Sequence, residues 1–111
     1  QQAWKAMFED IDVLMAPTTA ATAAPVGATE VDYGGGVSAP LMDPYVRPSG
    51  PANLTGLPAA SVCTGFDRAG LPIGTQVIGR PFDESTVLRV ARAAERVVGP
   101  WGTHRVPSLP G

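Results

Sequence analysis

Apolar residues recur along this chain in different rhythms, and each rhythm predicts a different element. Trp4, Met7, Phe8 and Ile11 stand three or four residues apart, on one face of a short helix ending near Asp10. The run Ile11-Asp12-Val13-Leu14-Met15-Ala16, stopped by Pro17, predicts a strand covered on both faces in a parallel or mixed sheet. Ala59 to Phe66 and Ile73 to Ile78 read as two more strands, and the turn-rich connector 67–72 between them suits a hairpin with a longer loop. The clearest pattern comes last. Val87, Leu88, Ala91, Ala94, Val97 and Val98 share one helical face, with Arg89, Arg92 and Arg96 on the other. A helix over 84–98 follows, with Asp83 as N-cap, Glu84 in the first turn, Arg96 in the last and Gly99-Pro100 as the stop.

Between Pro17 and Asn53 no period of 2 or 3.6 persists, so this stretch reads as a long loop of the functional or disordered kind. Asn53-Leu54-Thr55-Gly56-Leu57-Pro58 reads as a turn, in which Gly56 supplies a positive φ and Pro58 fixes entry into the next strand. Thirteen glycines and 12 prolines among 111 residues approach the level of low-complexity disorder. They cluster between the apolar runs, however, and act as punctuation between ordered elements. The chain opens Gln1-Gln2-Ala3-Trp4 with no initiator methionine and no capping residue. It is expected to start inside a helix already under way, as a fragment would.

At 111 residues the chain is at most one small domain. Its formal charge is -2, with charged residues at 16% and no basic stripe, which excludes a phosphate-backbone footprint. The single Cys63 has no internal disulfide partner, and no leader or apolar stretch of about 18 residues is evident. A reducing, cytoplasmic setting away from membranes is expected.

The stock of reactive groups is poor. His104 lies in a Gly- and Pro-rich tail, Lys5 on the first helix, and Cys63 inside an apolar strand where an inert thiol is the expectation. One His and one Cys cannot supply a metal's three or four ligands. Gly34-Gly35-Gly36 lacks the Lys and Ser/Thr of a phosphate-binding loop and reads as a loop tip. Met7, Met15 and Met42 read as gap-fillers of a core. Gln76, amid apolar neighbours, reads as a buried structural residue that must satisfy its amide.

One ordered set of motifs goes further. Asn53-Leu54-Thr55-Gly56-Leu57-Pro58-Ala59-Ala60-Ser61-Val62, then Gly65, then Gly70-Leu71-Pro72-Ile73-Gly74-Thr75-Gln76-Val77-Ile78-Gly79-Arg80-Pro81, then Glu84 with Val87-Leu88, resembles the C-terminal end of the amidase signature family. Asp12 to Thr19 and Ala24-Pro25 resemble that family's buried strand and following proline loop, so the likeness runs from about Trp4 to Trp101. Where family members commonly carry Pro, this chain has Cys63.

The resemblance implies an α/β fold in which a mixed β-sheet is flanked by helices. Strands 12–16, 59–65 and 74–78 would extend the sheet, and helix 84–98 would cover one face. It implies that residues 1–111 are the C-terminal segment of a single, incomplete amidase domain. Family members cleave amides with a serine, a second serine after a cis peptide, and a lysine, all N-terminal to the part resembled here. Gly36-Val37-Ser38 is not the Gly-Gly-Ser-Ser signature and Lys5 stands in another context, so no catalytic, cofactor or metal residue is assigned to this chain. The chain alone is expected to be inactive. Its implied partners are the N-terminal remainder of the amidase and a small-molecule amide, with a homo-oligomer also compatible. The segment 27–53 would lie near the mouth of the site. Two other readings stay open: a segment of the catalytic subunit of a tRNA-dependent amidotransferase, and a non-catalytic binding module that keeps the fold fragment. The proline-rich ending and the 27–53 segment lean toward a free-standing amidase. Aliphatic, aryl and peptide-terminal amides all remain candidate substrates.

Overall fold

The computed structural model describes residues 2–99, apart from the side chains of Gln2 and Lys5. Three strands form its sheet: β1 (Val13–Pro17), β4 (Ala59–Phe66) and β5 (Pro72–Gly79), in the order β1-β5-β4. Both pairings are antiparallel, with Leu14 opposite Ile78 and Val62 opposite Thr75. Side chains alternate between faces along a strand, so β5 feeds two cores. Ile78 packs with Phe8 and Ala52 on one side, joined by Trp4, Ile11 and Leu14. Val77 packs with Val87 and Ala91 on the other, joined by Val13, Ala60 and Val62. The result is an α/β layering with helices on both faces of the sheet.

The expectation of a strand covered on both faces was attached to the wrong strand. In β5 every residue from Gln76 to Gly79 is buried, whereas β1 borders, among the described residues, only β5 and leaves Met15 48% exposed. A continuous apolar run signals coverage above and below; it does not say which strand sits between two neighbours. The described strands pair only antiparallel with one another, so any parallel pairing of a mixed sheet lies outside this set.

Helix α1 (Gln2–Asp10) and the last helix, α4 (Glu84–Val98), fall where the apolar spacing puts them. The Asp83 carboxylate accepts the Thr86 N–H at 3.3 Å and the Ser85 hydroxyl at 3.1 Å, capping α4, and the Gly99 N–H reaches the Glu95 carbonyl at its end. The apolar face of α4 is narrower than its spacing suggests, since Leu88 is 62% and Val97 85% exposed. The β4–β5 hairpin closes through Asp67, whose Oδ1 accepts the Ala69 and Leu71 N–H groups at 2.9 and 2.8 Å.

These two aspartates make acid stability predictable. The Leu71 N–H, then the Thr22 hydroxyl, hold the Asp67 carboxyl below the ordinary value of 3.8, and the Thr86 side chain does the same for Asp83. Both native carboxyls are depressed relative to the unfolded chain, so their contribution is complete above 3.8 and is lost as pH falls through the native values. The melting temperature is expected to drop below about pH 4. In Asp67→Asn and Asp83→Asn variants that acid limb should flatten, and an unchanged limb in calorimetry would contradict the assignment.

The stretch 17–53 is structured, contrary to the long-loop expectation. It holds β2 (Glu30–Gly34) and β3 (Val37–Pro40), paired antiparallel, then the short helices α2 (Asp43–Val46) and α3 (Gly50–Thr55). Most residues of the ribbon β2–β3 are exposed, so selection has no buried face on which to impose alternation. Its reversal is made by Gly34, Gly35 and Gly36 at φ of 83°, 63° and 79°, which only glycine adopts cheaply. Asn53 belongs to α3, and the expected turn begins later, at Gly56 (φ 72°), where the left-handed residue ends the helix.

Candidate functional site

The residues singled out for chemistry are dispersed. Cys63 is half-buried in the middle of β4, next to a register shift before Gly65, and its thiol points to the Gly65 carbonyl at 3.4 Å. The three glycines cap the β2–β3 ribbon, where Gly34 N–H bonds to the Asp32 carboxylate at 2.7 Å, so their amides border no helix N-terminus. Met7 lines a core, whereas Met15 and Met42 are 48% and 64% exposed and fill no gap among the described residues. His104 and the Lys5 side chain lie outside what the structure describes. Among the described residues no group of three His, Cys, Asp or Glu is placed to hold a metal ion, and no helix is long and apolar enough to cross a membrane.

What the fold does bring together is a polar knot where the chain leaves β1 and returns to α3. Gln76 is 5% exposed, and its Nε2 donates to the Pro17 carbonyl at 3.0 Å and to the Pro48 carbonyl at 2.9 Å. The buried structural role read from its apolar surroundings is therefore what the structure shows. Nearby, the Ala20 N–H donates to the Pro44 carbonyl at 2.8 Å and the Tyr45 hydroxyl to the Thr22 carbonyl at 2.8 Å. The Thr22 hydroxyl in turn donates to Asp67 Oδ2 at 2.8 Å. On the same sheet face, Thr18 Oγ1 and Ser61 Oγ lie 2.6 Å apart over Gly74, whose absent Cβ would fall 2.9 Å from that threonine oxygen. A hydroxyl pair without a base lacks the partner that activates a nucleophile.

A second polar junction ties the first helix to the sheet. Arg80 Nε donates to the Phe8 and Ile11 carbonyls at 2.9 and 3.3 Å, and its Nη2 meets Asp12 Oδ1 at 3.2 Å. Arg80, Tyr45 and Thr22 carry no local pattern that announces these roles. Their partners are 23 to 72 residues away, so only the folded chain reveals them.

Two open hollows border these elements. One, of about 480 Å³, lies between β4 and α4 and is lined by Ala60, Ser61, Val62, Leu88 and Arg92. The other, of about 520 Å³, lies against Trp4, Val46, Arg47, Pro51 and Leu54. Ser61 borders the first hollow, but its hydroxyl lies on the opposite face of the sheet, bonded to Thr18.

Comparison with known proteins supplies the missing context. The family model named Amidase matches residues 1–88. A glutamyl-tRNA(Gln) amidotransferase subunit of Brevibacillus brevis is 48% identical over 101 residues, which is 91% of this chain and 19% of that protein. Fatty acid amide hydrolase of Medicago truncatula is 46% identical over 93 residues, 84% of this chain and 15% of that protein. Among solved structures, an amidase superposes with a TM-score of 0.76 at 24% identity over 83% of this chain and 21% of its own, a likeness of fold. The corresponding glutamyl-tRNA(Gln) amidotransferase subunit of Thermotoga maritima superposes with a TM-score of 0.68 at 37% identity, over 86% of this chain and 19% of its own. The chain thus spans less than a quarter of the length of each of these proteins.

Proposed function

The chain belongs to the amidase family, and on that premise we propose that it is the C-terminal portion of an amidase domain that hydrolyses a carboxylic amide to acid and ammonia or amine. The reacting serine, the second serine after a cis peptide and the lysine then lie in sequence outside this chain. The carrying observation is coverage: the family match runs over 1–88, while the chain makes up 19% and 15% of two relatives that match it at nearly half identity. Residues 1–111 would contribute scaffold: a sheet, its covering helices, and the 27–53 segment bordering the mouth of the site. The partners of this reading are the remainder of the polypeptide and a small-molecule amide, in the cytoplasm, with neither nucleic acid nor membrane involved.

A second reading, the catalytic subunit of a tRNA-dependent amidotransferase, is favoured by the 48% identity to the Brevibacillus protein. Ammonia transfer that occurs only with partner subunits would select it.

The test begins upstream of Gln1. The reading frame is expected to continue into a lysine and a Gly/Ser-rich signature, and the longer polypeptide to release ammonia from simple amides such as benzamide. Residues 1–111 alone should release none. Robust turnover by the 111-residue chain alone would overturn the assignment of the chemistry to other residues. A start codon immediately before Gln1 would leave only the binding-module reading.

A further inference from the structure

We propose that the acidic face of β2 in one copy of this chain docks against the outer edge of β4 and the adjoining stripe of α4 in a second copy, so that copies associate head to tail. The inference goes beyond the amidase reading and does not depend on it.

The receiving surface is the hollow of about 480 Å³ between β4 and α4. β4 ends the order β1-β5-β4, so among the described residues one side of its backbone has no strand beside it. A free edge of this kind is a template for another strand unless charge, proline, shortness or a bulge blunts it. β4 is eight residues long and carries no charged residue and no proline. Its one irregularity falls between Cys63 and Gly65, which leaves Ala59 to Cys63 in regular register. Beside that regular half the hollow is lined by Ala60, Val62 and the exposed Leu88, and by Arg92 and Arg96 with Glu95. Two guanidiniums thus accompany one carboxylate, and neither of them forms an ion pair among the described residues.

The complementary surface is on the same chain. Glu30 and Asp32 stand two apart on β2, so both side chains leave one face of the strand, and both residues are exposed. No lysine or arginine occurs between Ala23 and Asp43, and no cation among the described residues pairs with either carboxylate. Each keeps an oxygen for a partner, since Glu30 Oε2 accepts the Ser38 hydroxyl at 3.3 Å and Asp32 Oδ1 the Gly34 N–H at 2.7 Å. Among the described residues β2 pairs only with β3, so its other edge is open too. The spacings agree: residues two apart on a strand are separated by about 6.6 Å, and residues four apart on a helix by a rise of about 6 Å. Set beside β4, β2 would turn Glu30 and Asp32 toward Arg92 and Arg96 on the α4 side, and Val31 and Tyr33 toward the opposite face of the lengthened sheet. Main-chain bonds along the two edges supply attraction, and the paired charges fix partner and register. Two different patches of one chain meet in this contact, which makes it heterologous.

The test is sedimentation velocity on the complete polypeptide that the reading frame encodes, over a concentration series at low salt. The parent is expected to associate reversibly. Raising NaCl from about 0.01 to about 1 M, which shortens the screening length from about 30 to about 3 Å, should weaken that association at least about tenfold. Glu30→Lys with Asp32→Lys, and separately Arg92→Glu with Arg96→Glu, should each raise the dissociation constant at least about tenfold. All four side chains are on exposed residues, so neither core is touched. Mixed with one another, the two reversed variants should associate again to within about threefold of the parent, because each offers the charge that the other's surface now needs. A parent that stays monomeric, or that associates undiminished in both reversed variants, would overturn the proposal. So would a mixture of the two folded variants that remains monomeric. If a reversed variant fails to fold, Arg92→Gln with Arg96→Gln decides, and undiminished association there overturns the contact. Amide hydrolysis enters none of these readouts, so they judge the contact whether or not the amidase reading holds.

Discussion

Replacing Gly79 with alanine is expected to destabilise the fold by about 3 kcal/mol, near the upper end for an added methyl in a packed interior. A Cβ at this position would overlap Val87 Cγ2, with the Asp83 carbonyl oxygen at 3.6 Å and Pro58 Cγ at 3.8 Å behind it. Relief is hard to find. Val87 is 2% exposed, and a β-branched side chain in a helix has essentially one rotamer, so it cannot swing aside. The backbone cannot recede readily either, because the Gly79 N–H is bonded to the Pro58 carbonyl at 2.9 Å and Gly79 pairs with Val13. The check is urea unfolding of Gly79→Ala, Val87→Ala and the double variant. If the clash is the cause, the double variant should be less unstable than the sum of the singles by about 1–2 kcal/mol. Strict additivity would show that Gly79 is required for some other reason.

That close approach explains why part of this fold was legible in the sequence and part was not. Helix α4, the hairpin β4–β5 and the turn at Gly56 each rest on local causes: a 3.6-residue apolar spacing, a capping aspartate, a glycine at positive φ. Such causes lie within a few residues of their effects and can be read directly. Residues 17–53 were opaque because the ribbon there is mostly solvent-exposed and its register is set by three glycines rather than by a hydrophobic face. The strand order was opaque as well. Nothing in Val13–Pro17 distinguishes an edge strand from a central one when its covering layers are alike. Of the site, Gln76 was legible as a buried amide, but its partners Pro17 and Pro48 are 59 and 28 residues away and only the fold selects them.

The same contrast bears on function. The family motif from Asn53 to Pro81 contains the helix end at Gly56, the hairpin, the glycines of close approach and the arginine that ties α1 to the sheet. Every one of these is a device of backbone geometry or of packing. A motif with that content is what the proposed scaffold role requires.

Gln76 provides the sharpest probe of the polar part of that scaffold. Gln76→Leu keeps nearly the same volume in a buried position and removes both donors, leaving the Pro17 and Pro48 carbonyls without their partner. Each part-buried acceptor left unsatisfied costs about 1–3 kcal/mol, so a loss of about 2–4 kcal/mol is expected, against the small gain of a more apolar side chain. Gln76→Glu separates donor loss from shape. At neutral pH it should be worse than leucine, since a buried carboxylate would face two carbonyl oxygens and donate to neither. Burial and those carbonyls favour the protonated acid, which raises the native pKa above that of the unfolded chain. The sign follows directly: the variant binds its proton more tightly when folded, so its stability relative to the parent should recover as pH falls toward about 4 and decline as pH rises through the native pKa. The comparison is a set of urea midpoints at about pH 4.5, 6 and 8, which bracket the ordinary glutamate value. A glutamate variant as stable as the leucine variant at every pH would mean that Gln76 is solvated in solution and that Pro17 and Pro48 are held without it.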